Sequence, residues 1–387
     1  MAEQRRIGIL TGGGDCPGLN AVIRAVTKTA INDYGWEVFG IEDGFLGLIR
    51  NRMHQMELGS VSNILTQGGT ILGTSNKADP SKFLVGTDDQ GRHIYQDVTQ
   101  RCLDHIKARG LDAIVCIGGD GTMSGAAGLV ANGVPCVGVP KTIDNDLLHT
   151  EVTFGFHTAV QIATEALDRI HTTASSHHRV MLVEMMGRYA GWLTLYAGAA
   201  SGADVILIPE IDYDLEKVCE HCDKRSMRGK AFTIIAIAEG AKQAGGEMVV
   251  SQVVKDSPDP IRLGGVSQML AHQIAQETGL ECRATILGHV QRGGTPCAYD
   301  RVLATQFGHH AAELINRKRY NRLVVMQKSQ IDSVPLEEVA GKQRTVPLDH
   351  PLIRSLKSIG VEFAASDGAG KRAEEDAEHV NQQITGV

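Results

Sequence analysis

The feature that most constrains this chain is a series of short apolar runs rich in Val and Ile. Each ends on glycine or charge, and most are followed by a stretch of helical period. Such runs are buried on both faces, as parallel strands are when helices pack on either side of their sheet. Strands are expected at 7–11, 113–117, 135–139, 180–185, 204–208, 232–238, 284–288 and 322–327, and helices at 19–31, 122–131, 158–171 and 300–316. A polar excursion is expected at 74–97. At 387 residues the chain exceeds one ordinary core. The expected fold class is α/β: two doubly wound three-layer domains with mainly parallel sheets and the active site in the cleft between them.

Lys and Arg number 38 against 45 Asp and Glu, a formal net charge of −7. No general attraction to nucleic acid or an anionic membrane is expected, so an anionic substrate needs a local cluster of cations. The amino terminus enters a strand pattern without the apolar core of a signal peptide, and no apolar run approaches a membrane span; the cytoplasm is the expected location. The 8 cysteines are scattered, several in expected strands, and are read as reduced. Cys219 and Cys222 have the spacing of a zinc pair, but no second pair follows, so burial as small apolar side chains is preferred.

In open parallel sheets ligands bind beyond the carboxyl ends of the strands. Strand 7–11 runs into GGGDCPG, where Gly12, Gly13 and Gly14 could present backbone N–H groups and a helix terminus to a phosphate. A tight structural turn explains the same residues nearly as well. Strand 113–117 runs into GGDGT, whose Asp120 would repel a phosphate unless a divalent cation lies between them. Magnesium on Asp120 is the economical reading, and a capping aspartate the alternative. Strand 135–139 runs into PKTIDND, with Lys141 ahead of Asp144 and Asp146. One carboxylate could take a proton from an acceptor hydroxyl while the other assists the metal or orients the loop; a plain polar turn is also consistent with these residues. Arg179, Arg188, Arg283, His289 and Arg292 flank further strands, where planar guanidinium groups suit phosphate oxygens, and Glu239 follows strand 232–238.

Taken in order, GGGDCPGLNAVIR, IGGDGT, PKTIDND, TFGFHTA, SSHHR, MGRYAG, Glu239 and TILGHVQRGG resemble the 6-phosphofructokinase family over about residues 6–308. The resemblance implies phosphoryl transfer to the 1-hydroxyl of fructose 6-phosphate, giving fructose 1,6-bisphosphate, with Mg2+ as cofactor. It makes Asp144 the general base, Asp120 the metal ligand, and Lys141 and Thr142 neighbours of the transferring group, with Arg188 on the transition-state charge. Donor contacts would be Gly13, Asn76, Lys77, Gly119, Asp120, Gly121 and Thr122. Sugar-phosphate contacts would be Thr142, Ile143, Asp144, Met186, Gly187, Arg188, Glu239, His289, Val290, Gln291 and Arg292. Arg179 and Arg283 resemble residues that reach the 6-phosphate from a neighbouring subunit, which implies a homo-oligomer, usually a homotetramer, with a homodimer as the smaller form. Residues 1–155 with about 291–335 would form the donor domain, 156–290 with part of the C-terminal segment the sugar-phosphate domain, and 365–387 a polar tail. Asn76, followed by Lys77, stands where the best-known bacterial enzymes carry arginine. Arg24, Lys28, Arg228 and Lys230 resemble the family's effector cations, whereas His171 replaces an arginine.

The family divides by phosphoryl donor, ATP or pyrophosphate. Pyrophosphate enzymes carry an aspartate after GGD, where charge and bulk would collide with the α-phosphate region of ATP; here that residue is Gly121. They also carry a lysine at the place of Lys141, where the best-known ATP enzymes have glycine. The combination of Gly and Lys resembles a mixed branch of the family. A lysine helps any polyphosphate and forbids none, whereas an aspartate would exclude ATP, so ATP is the expected donor and pyrophosphate the alternative. NAD kinases and lipid kinases share GGDGT but not PKTIDND, MGR and HVQRGG. A nicotinamide dehydrogenase would need the spaced glycine fingerprint that is missing here. A non-catalytic sugar-phosphate sensor is the second alternative, against which stand Asp120, Asp144 and Asp146.

Overall fold

The computed structural model describes residues 4–229, 232–253 and 261–366, so Lys230 and residues 367–387 of the expected tail lie outside the described residues. The first sheet takes β1 (Arg6–Thr11), β2 (Glu37–Ile41) and β3 (Met53–Met56). After a hairpin of β4 (Phe83–Thr87) and β5 (His93–Gln96), it continues with β6 (Ala113–Gly118), β7 (Cys136–Thr142) and the short β8 (Phe154–Gly155). The second takes β9 (Val180–Met185), β10 (Val205–Leu207) and β11 (Thr233–Ala238) and, after a hairpin of β12 (Val250–Val253) and β13 (Ile261–Leu263), β14 (Cys282–Ile286). The chain then returns to the first sheet as β15 (Arg322–Gln327) and β16 (Gln330–Pro335). The order is β16-β15-β7-β6-β1-β2-β3 in the first sheet, with β8 beside β7, and β10-β11-β9-β14 in the second. Only β3 and β16, at the two edges of the first sheet, pair antiparallel within it; the second is parallel throughout. The doubly wound expectation holds.

Successive side chains of a strand face opposite ways, and the core follows that rule. Ile7, Ile9, Val115 and Ile117 enter one apolar cluster, while Leu10, Ile114 and Cys116 enter another on the opposite face. The first of these clusters also receives Met181, Val183, Ile234 and Ala236 from the second sheet, so one core runs between the two sheets. Helix α1 (Leu19–Tyr34) packs on α9 (Ala298–Asn316). Their contact requires Gly308, where a Cβ would lie 2.8 Å from the Cβ of Ala25 and from the carbonyl of Val22. The remaining helices are α2 (Phe45–Arg50), α3 (Thr99–Arg109), α4 (Asp120–Ala131), α5 (Phe156–His177), α6 (Trp192–Ser201), α7 (Leu215–Met227), α8 (Val266–Thr278) and α10 (Pro351–Ser358).

Several boundaries differ from expectation. Helix α4 begins at Asp120, because Gly119 in extended conformation forms its cap, so the carboxylate is on the helix rather than in a loop. Helix α5 runs on to His177. Strand β14 occupies 282–286; the N–H of Leu287 makes its last bond to β9, at the carbonyl of Glu184, and residues 288–292 then form a 3-10 helix. The expected excursion at 74–97 is largely the exposed β4–β5 hairpin. Cys219 and Cys222 pack in the apolar cluster under α7, where burial pushes their thiols up to about 11 and about 12. Among the described residues no helix is long and apolar enough to cross a membrane.

Candidate active site

The turn after β1 is tied down by its own backbone. Gly12 N–H donates to the Ile117 carbonyl at 2.9 Å and Gly13 N–H to that of Ser75 at 3.3 Å, so these two groups hold neighbouring chain rather than await a phosphate. Thr74 Oγ1 donates to the Gly13 carbonyl at 2.6 Å, which brings the exposed Asn76 and Lys77 to the rim of the turn. A Cβ on Gly14 would stand 2.5 Å from Nη1 of Arg292, whose guanidinium lies over the turn and donates to the Asp15 carbonyl at 3.2 Å. From below, Lys141, only 3% exposed, donates from Nζ to the Gly14 carbonyl, and burial pushes its pKa down. Two cations thus clamp the glycine turn. At the next strand end, a Cβ on Gly118 would lie 2.1 Å from Thr122 Oγ1, which requires glycine there and seats α4 against β6.

Asp120, first residue of α4, accepts Gly341 N–H on Oδ1 at 2.7 Å, and burial raises its pKa. In the loop after β7, Asp144 N–H donates to Thr142 Oγ1 at 3.0 Å. Asn145 takes a left-handed φ of 52°, and its Oδ1 accepts Thr153 N–H at 2.9 Å, the local bonding that lets Asn hold such a turn. Asp144 Oδ1 is buried with no hydrogen-bond partner. Burial raises the pKa of Asp144 against the pull of Arg292 and Lys141. Burial, then the charges of Asp144 and Asp120, pushes Asp146 up to about 7. Glu239, at the end of β11, also rises to about 7 through burial and the neighbouring Asp144 and Glu184, with Arg188 opposing. A cleft of about 150 Å³ opens among Asp144, Asp146, Arg188, Tyr189, Ala190 and Gln343. The Arg188 guanidinium lies 5.1 Å from the centre of the Tyr189 ring. Such a site can take a proton at a desolvated carboxylate and steady anionic charge at nearby guanidinium groups.

Several expected residues stand elsewhere. Arg179 precedes β9 and Arg283 lies at the start of β14, both bonded to Glu281, at 2.9 and 2.6 Å. Arg188 follows the other end of β9, and a strand of that length spans roughly 20 Å, so the shared strand-end placement fails for these two arginines within one chain. Val290 is 62% exposed, and Gln291 is fully buried with Nε2 donating to the Gly288 carbonyl at 3.1 Å. Neither lines the cleft.

Nothing in the sequence pointed to the segment 341–346, which bonds to the start of α4, the loop after β7 and Glu210. Beyond the Gly341–Asp120 bond, Arg344 N–H donates to the Asp146 carbonyl at 2.7 Å, and its Nη1 donates to the carbonyls of Thr150 and Glu151 at 2.7 and 3.0 Å. Its guanidinium sits 4.2 Å from the Trp192 ring centre. Val346 N–H donates to Glu210 at 2.7 Å, and Glu210 also accepts Gly191 N–H at 2.9 Å, behind the MGRYAG loop. In sequence, GKQRTV reads as an ordinary polar linker.

Two mostly parallel sheets whose strand ends gather carboxylates, cations and a glycine turn define an α/β protein that handles anionic ligands. The phosphofructokinase family model matches residues 6–315, and the chain belongs to that family. It is 52% identical over 368 residues to ATP-dependent 6-phosphofructokinase 2 of Clostridium perfringens, covering 94% of this chain and 100% of the relative. It is 47% identical over 342 residues to the pyrophosphate–fructose 6-phosphate 1-phosphotransferase of Streptomyces coelicolor, covering 88% of this chain and 96% of that protein. Among solved structures, phosphofructokinase from Saccharomyces cerevisiae matches with a TM-score of 0.73 at 29% identity over 98% of this chain, which spans 48% of the yeast chain.

Proposed function

We propose that this protein is an ATP-dependent 6-phosphofructokinase, transferring the γ-phosphoryl group of ATP to the 1-hydroxyl of fructose 6-phosphate in cytoplasmic glycolysis. The observation that carries the reading is Asp144 Oδ1, buried and without a partner in a cleft that Arg188 also lines. Asp144 takes the hydroxyl proton; desolvation makes it a stronger base than an exposed aspartate. Arg188 steadies charge on the transferring group, and Lys141 and Arg292 hold the glycine turn beside the donor. Asp120 is buried at a cost to its charged form that a cation would offset and, with Oδ1 already taken by Gly341, would hold magnesium with its other oxygen. That ion would neutralise charge on the donor's phosphates. The first sheet would carry the donor and the second the sugar phosphate, with Arg179 and Arg283 completing the site of another copy in a homo-oligomer.

ATP rather than pyrophosphate is supported at Gly121, which is exposed and has no atom within 4 Å of a Cβ position. Incubation of the purified protein with fructose 6-phosphate and Mg-ATP, followed by an aldolase-coupled assay, is expected to give fructose 1,6-bisphosphate. Sugar-phosphate binding with no product from either donor would favour a sensor instead.

A further inference from the structure

Gln343 lines the cleft with Asp144, Asp146 and Arg188, yet the chemistry proposed above leaves it unused. Its place is set by the chain on either side. Gly341 is held by Asp120, Arg344 by the carbonyl of Asp146, and Gln343 itself forms a backbone bridge with Leu147. The side-chain amide is therefore delivered to a fixed point rather than carried on a free loop. Its Oε1 is buried and accepts no hydrogen bond among the described residues.

Buried polar atoms are normally satisfied, and one left open on a residue that lines a cleft calls for a partner from outside the chain. With the amide oriented as here, its oxygen calls for a donor, which an ionised phosphate oxygen is not. We infer that Gln343 is a substrate-contacting residue whose amide oxygen accepts a hydrogen bond from an O–H beside the reacting centre. That O–H is either a sugar hydroxyl of fructose 6-phosphate or a water carried by the donor's cation. The inference rests on the reading of this cleft as the active site.

The test uses Gln343→Met, which keeps the side chain's length and removes the acceptor, with Gln343→Asn withdrawing the acceptor by one methylene and Asp144→Ser as control. Rates are measured against fructose 6-phosphate at saturating Mg-ATP and against magnesium at fixed ATP, and thermal midpoints without ligands. Gln343→Met is expected to lower kcat/KM by at least about tenfold while the ligand-free midpoint stays level or rises, because an unsatisfied acceptor has gone. Gln343→Asn is expected to fall between it and the wild type. A loss confined to the fructose 6-phosphate series assigns the partner to a sugar hydroxyl, and a loss confined to the magnesium series to a metal-bound water. Wild-type values in both series beside an inactive Asp144→Ser overturn the role of Gln343 alone. A lowered midpoint in both Gln343 variants makes it a structural residue and also overturns the inference, while an active Asp144→Ser overturns the site itself.

Discussion

Asp144 owes its proposed role to the residues on either side of it. Thr142 Oγ1 fixes its backbone N–H, Asn145 turns the chain through a left-handed step, and one carboxylate oxygen is left buried and open. Replacing Asp144 by Ser is expected to lower turnover about 100-fold or more while fructose 6-phosphate binding, followed by calorimetry, changes little; an unchanged rate would remove it as the base. At Gly121 the open space makes a second prediction clean. Gly121→Asp has room for its side chain, so it should fold with an unaltered thermal midpoint and lose turnover with ATP. Retained ATP turnover would show that a carboxylate there does not collide with the nucleotide. Asp120, Asp144 and Gly121 could be proposed from the sequence because each sits in a short motif after a strand. The restraints on the glycine turn were not: that Gly12 and Gly13 spend their N–H groups on Ile117 and Ser75 depends on chain far away in sequence.

At the scale of elements, the central strands could be read because both their faces are buried, leaving unbroken Val and Ile runs such as AIVCIG and TIIAIA. Strands EVFGI and MHQM could not, since β2 and β3 are short and lie toward the edge of the first sheet, EVFGI being interrupted by Gly40 and MHQM carrying two polar residues between its methionines. Nor could the 341–346 segment, whose bond to Asp120 spans 221 residues. Glu210 offers a test of that segment. Its carboxyl, buried against Gly191 and Val346, is pushed from 4.5 up to about 7 by desolvation. Between those two values the folded chain binds more protons than the unfolded one, so this contribution to stability is full below 4.5 and is lost as pH rises to about 7. Thermal midpoints taken from pH 5 to 7.5 should fall less steeply for Glu210→Gln than for the wild type; parallel curves would mean that Glu210 does not titrate in this window.

For the whole molecule, two sheets share one apolar core and meet at the proposed cleft, while Arg179 and Arg283 stand at the amino ends of their strands, bonded to Glu281. The proposed role of these arginines in the site would therefore call for another copy of the chain. Arg283→Ala and Asp144→Ser, each feeble alone, should recover activity when dissociated and reassembled together, because some mixed sites then hold both intact residues. No recovery in confirmed mixed oligomers would place the arginines outside the site. The relative at 52% identity is named for ATP and one at 47% for pyrophosphate, so similarity favours ATP, and Gly121 and Lys141 are where the two donors would be told apart. The most direct measurement is the initial rate of fructose 1,6-bisphosphate formation by the wild-type protein with magnesium and fructose 6-phosphate, ATP and pyrophosphate being supplied separately at equal concentration. The open space at Gly121 predicts faster turnover with ATP, and faster turnover with pyrophosphate would contradict it.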